Sequence, residues 1–233
     1  MGIRYNTSIV RDGLVLHLDA ANKKSYPGTG TVWKDLSGNG NNGTLVNGVE
    51  YSSDNKGAMV FDGVNDYVDT GSSDFLGPSL SGLTVSCWIR IKTRKTAIIA
   101  ENGTSFTTNT FYIAQESTTV LSFLVCNDGS TAVQRADISD YELDTWINFV
   151  GVWSSNSVIS SYINGTFATT SILNPSNIFS NLKSGNTNLW IGRRPGGALV
   201  FDGDISNVQI YDRALPSQEI QQNFEALRGR YGI

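Results

Sequence analysis

Short apolar runs, many of them alternating with polar residues, recur every 8–15 residues from one end of the chain to the other. A repeat that short, broken each time by turn residues, fits stacked β-strands and leaves no room for a helical domain. The clearest runs are 14–18, 58–61, 83–92, 97–101, 111–115, 120–126, 146–153, 158–163, 189–192 and 205–211. In the third of these, Leu83, Val85, Cys87, Ile89 and Ile91 share one face. Trp88 and Arg90 then point the other way, which places an aromatic side chain on a sheet's outer or concave surface. The composition agrees with strands and turns: Gly (24), Ser (26), Thr (20) and Asn (21) make 91 of the 233 residues, while charged residues are only 16%. The 24 aromatic residues (5 Trp, 9 Tyr, 10 Phe) are enough to fill a core, so the chain is not disordered. Nothing marks a linker, and residues 1–233 read as a single domain.

Three stretches break the rhythm. Residues 37–48 are a loop rich in Gly and Asn, residue types that tolerate positive φ. Residues 171–188 form a second loop, rich in Ser and Asn, around Asn174 and Pro175. Residues 217–228 read as one helix, opened by Pro216, striped by Ile220, Phe224 and Leu227, and stopped by Gly229. That stripe has to dock on the sandwich or on a neighbouring subunit. Asn164 and Gly165 signal a tight type I′ hairpin. The heptapeptide 57–63 recurs at 197–203 with one difference, as two equivalent strand ends or as a pair of carboxylates near one rim.

Several chemistries are closed off. The net charge is -4, and the few basic pairs give no basic face, so nucleic acid is not an expected partner. No apolar run reaches the roughly 18 residues of a membrane helix, so membrane insertion is not expected. No basic-then-apolar opening suggests a secretory signal. Cys87 and Cys126 lack metal-ligand spacing and read as buried thiols, and His17, the single histidine, sits inside a strand pattern.

Seven segments then follow one another in order: 14–19, 33–44, 61–68, 84–88, 146–150, 162–165 and 203–211. Together they resemble the laminin-G-like, concanavalin A-like jelly-roll superfamily. The C-terminal segment, 211–233, is similar to the form found in tailed-phage virion proteins. The resemblance implies an all-β sandwich of two antiparallel sheets with one short C-terminal helix, and ligand loops along a rim. Many relatives bind one calcium ion from the first and last strands, and Asp19, Asp202 and Asp204 fall in those segments. Asp19 and Asp204 are the implied ligands, although Ser206 stands where relatives carry an acid. Related endoglucanases carry Glu-x-Asp-x-x-Glu. Here Glu142 and Asp144 are followed by Ile147 in the third place, so catalysis is not expected.

The first functional expectation is therefore a non-enzymatic virion surface protein: a head fibre, decoration or tail-fibre component. It would be made without a signal peptide, would assemble with itself or other virion proteins, and would hold host-surface glycans. The alternative is a carbohydrate-binding lectin module of a cellular protein, and a glycoside hydrolase comes third. Sugar sites pair aromatic faces with Asn, Asp and Arg, which makes Trp33, Asn39, Asn41, Asn42, Arg193 and Arg194 the candidate rim residues.

Overall fold

The computed structural model describes residues 8–72, 76, 80–103, 110–116, 119–127, 133–157, 159–171, 178, 180–182 and 188–233. The second expected loop, 171–188, lies largely outside them. In chain order the first strands are β1 (Leu14–Asp19), β2 (Val32–Trp33), β3 (Gly43–Val46), β4 (Glu50–Ser52), β5 (Ala58–Asp62) and β6 (Tyr67–Ser72). Then come β7 (Gly82–Ile91), β8 (Ala97–Asn102), β9 (Phe111–Gln115), β10 (Val120–Cys126) and β11 (Val133–Ser139). The last are β12 (Trp146–Ser154), β13 (Ile159–Ile163), β14 (Thr166–Ser171), β15 (Asn188–Ile191) and β16 (Asp202–Tyr211), followed by helix α1 (Ser217–Leu227).

These strands form two antiparallel sheets. Sheet A runs β14-β13-β12-β7-β16-β5-β4 with β1 also on β16, and sheet B runs β11-β10-β9-β8-β15-β6-β3-β2. The jelly-roll sandwich with one C-terminal helix is the observed architecture. Strand β16 changes partner part-way: residues 202–205 pair with β5, and residues 207–211 pair with β1. A register shift at Ser206 lets Ile205 and Val208 both face the core.

The core lies between the sheets. All five residues expected on the inner face of β7 are there, against Phe111, Ile113, Phe123 and Val125 of sheet B. The sheets approach closely at Gly151, where a Cβ would stand 2.1 Å from Cγ of Phe123. Asn164 and Gly165 take φ of 50° and 74°, as a type I′ turn requires.

The two copies of the heptapeptide are not equivalent strand ends. Residues 58–62 form β5, but residues 198–201 are a loop, with Leu199 at φ 54°. Their ends meet nonetheless, since Asp62 and Asp202 are register partners and the Phe61 and Phe201 rings lie 6.1 Å apart.

The stripe on α1 needs no outside partner. Ile220 and Leu227 are buried on the outer face of sheet A, and Phe224 stacks on Trp88 at 5.6 Å. Asn223 shares that face, donating to the Tyr211 hydroxyl and accepting from the Val10 amide. Gly229 does not stop the helix at an open cap; α1 tightens into a 3-10 turn over Arg228–Arg230, and Tyr231 then stacks on Trp88 at 3.9 Å. Trp88 does point outward from the sheet, as its position in the alternation requires, but this segment buries it.

Gly151→Ala should cost about 1–3 kcal/mol, because the Phe123 ring cannot shift freely in a close-packed core. Gly229→Ala, where a Cβ meets nothing within 4 Å, should stay within about 0.5 kcal/mol. Urea denaturation of both variants checks the pair.

Candidate functional site

The outer face of sheet B is open in part. Antiparallel register sets one row of side chains across the whole sheet: Val32, Thr44, Asp69, Trp190, Glu101, Tyr112, Leu124 and Arg135. Leu189 and Ile191 anchor β15 in the core, so Asn188 and Trp190 must face outward. Tyr67 and Asp69 alternate in the same way about the buried Val68.

Loop 193–201 folds back over this row. Arg194 Nε and Nη2 hold both oxygens of the fully buried Glu101 at 2.9–3.1 Å, a charge-assisted fork. Leu199 rests on the outer cluster of Ile98, Tyr112, Ala114, Leu124 and Cys126. Arg193 lies 4.5 Å over the Tyr67 ring and 5.5 Å from the Trp190 ring, and its Nη1 donates to the Asn65 carbonyl at 3.1 Å. Tyr67 and Trp190 are themselves stacked, 4.3 Å apart and 2° from parallel. Beside them the Asn188 amide donates to both oxygens of Asp69, at 2.9 and 3.1 Å. Tyr67, Asp69, Asn188, Trp190, Arg193 and Arg194 are all partly exposed. Here a ring stack, a guanidinium and a carboxylate–amide pair converge on one patch.

Of the candidate rim residues, only Arg193 and Arg194 reach this patch. Trp33 is fully buried in the core between the sheets and cannot face a sugar. The loop holding Asn39, Asn41 and Asn42 is built around Asp35. Asp35 Oδ1 accepts from the backbone amides of His17 (2.9 Å) and Ser37 (2.8 Å), and Oδ2 accepts from that of Asn41 (3.1 Å). Asn42 Oδ1 accepts from the Asp35 amide at 2.9 Å. The amides of Asn39 and Asn41 donate to carbonyls on β1, chiefly Val15. Asn39 and Asn41 thus cap an edge strand, while Asn42 braces the loop itself. Tyr67, Asp69, Asn188 and Trp190 were not legible as a set, because the β6–β15 pairing that joins them spans about 120 residues.

The implied calcium ligands have other partners. Asp204 is fully buried and holds Arg90 at 2.6 Å and Lys92 at 2.9 Å. Both oxygens of Asp19 accept from Arg230 Nη1, at 2.7 and 2.8 Å. Ser206 offers a hydroxyl already shared between the Tyr231 hydroxyl and the Gly57 carbonyl. Among the described residues no group of three or more His, Cys, Asp or Glu side chains is placed to hold a metal. A hard cation needs oxygens that are not already neutralised, so this donor set does not fit calcium.

His17 is buried beside Asp19. Burial is the main cause that pushes its imidazole down from 6.5 to about 4, against the opposing pull of Asp19. Asn207 Nδ2 lies 3.1 Å from Nε2. Cys87 and Cys126 are both buried and not disulfide-bonded, and burial raises Cys87 to about 12.

The profile of the Laminin_G_3 family, described as the concanavalin A-like lectin/glucanases superfamily, matches residues 62–221. No curated protein sequence matches the chain. Solved structures share its fold at low identity. The receptor binding domain of botulinum neurotoxin C/D mosaic serotype matches with a TM-score of 0.71 and 13% identity, over 93% of this chain and 52% of that one. The binding domain of Paraclostridial Mosquitocidal Protein 1 gives 0.68 and 16%, over 92% and 52%. Domain 4 of AbnA, a GH43 extracellular arabinanase from Geobacillus stearothermophilus in complex with arabinotriose, gives 0.63 and 18%, over 90% and 97%. The chain therefore spans about half the length of the toxin binding domains and nearly all of the arabinanase domain.

Asp204→Asn should lower stability by roughly 2 kcal/mol, since Arg90 and Lys92 lose their buried partner but keep some access to water. Melting curves in calcium and in chelator should coincide, for this variant and for the unmodified chain. Acid should also weaken the fold through His17. The unfolded chain takes up a proton near pH 6.5 and the folded chain resists it until about pH 4. Stability held above pH 6.5 thus falls by up to about 3 kcal/mol as pH drops toward 4. His17→Gln should flatten that part of the profile.

Proposed function

The chain belongs to the concanavalin A-like lectin/glucanases superfamily, and from that membership and the patch on sheet B we propose that it is a non-catalytic carbohydrate-binding domain. One observation carries the reading: the Tyr67–Trp190 stack, flanked by Arg193 and the Asp69–Asn188 pair, on a partly open sheet face. Sugars present C–H faces that pack on aromatic rings and hydroxyls that pair with carboxylate, amide and guanidinium groups. The Asp69–Asn188 hydrogen bonds and the cation–π contact hold these groups in place before a ligand arrives, which lowers the cost of binding. The fold's presence in an arabinotriose-bound domain and in toxin receptor-binding domains supports the same role.

The carboxylates of this face argue for holding a glycan rather than cleaving it. Glycoside hydrolysis needs an acid and a base or nucleophile free to act as a pair. Glu101 is held by Arg194, Asp137 by Arg135, and Asp69 by Asn188. Glu142 lies in the loop before β12. A narrower form of the proposal sets the domain on a virion surface, on the likeness of its C-terminal segment to tailed-phage proteins. The covered stripe on α1 withdraws one support for that form, so the general lectin reading is the one put forward.

A glycan array probed with the purified chain should retain it on a defined set of oligosaccharides. Trp190→Ala should weaken retention at least tenfold with little change in melting temperature, since the ring lies on the outer face. Asp69→Ala should weaken it as well. An array with no retained glycan, or retention untouched by Trp190→Ala, would overturn the assignment.

A further inference from the structure

A concavity lies at the margin of the other sheet. It is a cleft of about 400 Å³ between the N-terminal segment, β1, the turn after β1 and the end of α1. His17 and Asp19, both more than nine-tenths buried, line its β1 wall. Ile9, Leu36, Ala226 and Leu227 supply apolar wall, and Arg11, Lys24 and Arg230 supply charge. Arg230 is neutralised by Asp19. Arg11 and Lys24 are not: among the described residues neither has an ion-pair partner. The cleft thus carries two uncompensated positive charges on a chain whose net charge is -4. A cleft with an excess of positive charge attracts anions, which supply the partner its cations lack.

We propose that this cleft binds a small organic anion of about monosaccharide size, bearing a carboxylate or a phosphate. Arg11 and Lys24 would take the charged group at the mouth, and the apolar wall would cover the body of the ligand. The volume falls in the range of small-molecule sites, and so does the mix of apolar wall with a few polar groups. The inference does not depend on the patch on sheet B, which belongs to the opposite sheet.

The single histidine makes the test specific, because its ring resonances report on this cleft alone. Titrations of the full chain at fixed ionic strength would use glucuronate, glucose 6-phosphate, inorganic phosphate and glucose, followed by the His17 ring signals and by melting temperature. The expected result is saturable movement of the His17 signals with glucuronate, glucose 6-phosphate or both, and none with glucose. Comparing the two acids decides between carboxylate and phosphate. Inorganic phosphate should bind at least tenfold more weakly, lacking a body to meet the wall. The double variant Arg11→Gln/Lys24→Gln, at two exposed positions, should keep its ligand-free melting temperature and weaken binding at least tenfold. Trp190→Ala should leave this binding unchanged, so failure here and failure of the lectin reading are separable. No movement of the His17 signals, equal response to glucose, or binding retained by the double variant would each overturn the proposal.

Discussion

The indole of Trp88, stacked 3.9 Å from Tyr231 and 5.6 Å from Phe224, fastens the C-terminal segment over the outer face of sheet A, and the location of every candidate site follows from that contact. Each aromatic pair of this kind adds about 0.5–1.5 kcal/mol beyond the area it buries. Trp146 joins the same group, 4.9 Å from Tyr231. Under this cover lie Ser86, Asn148, Asn207 and Gln209, polar side chains that an open sheet would offer to a ligand. The segment covers that part of the face and leaves a cleft beside β1 accessible at its margin.

On sheet B the same economy appears with a loop in place of the helix. Loop 193–201 is tied down at both ends of its reach, by Arg194 on Glu101 and by Leu199 on the outer apolar cluster. What it leaves partly open is the stretch where Tyr67, Trp190 and Asp69 meet Arg193. A flexible arginine on a bare sheet would lose rotamer freedom on binding. Here its guanidinium is already held by a ring and a carbonyl, so less remains to be ordered.

Strands that bury one clean face were legible, as β7, β9 and β10 show. Strands β11 and β14 were not: their residues (Val-Gln-Arg-Ala-Asp-Ile-Ser and Thr-Phe-Ala-Thr-Thr-Ser) are mostly polar or small and carry no strong apolar signal. The shift at Ser206 hid the true facing of β16, since Ile205 and Val208, three apart, both point inward. The stripe on α1 was visible, but its target was not, because Trp88 lies more than 130 residues upstream. The site misreadings share one cause. Trp33 and its neighbouring asparagines have the right residue types, yet burial and an edge strand had already claimed them. Residue type names a chemistry; only register says which groups remain to perform it.

Charge shows the same selection most sharply. In a chain with only 16% charged residues, buried carboxylates fix three distant pieces of backbone: Asp204 ties β16 to β7, Asp19 ties β1 to the C-terminal turn, and Glu101 ties β8 to loop 193–201. Each such pair costs desolvation to form, and losing either partner would leave a buried charge uncompensated. A cation that has such a partner is therefore structural in this molecule. Arg11 and Lys24 sit at a concave surface without one. An anion from solution can neutralise a cation held at such a concave surface. Their placement makes sense when the partner arrives from solution.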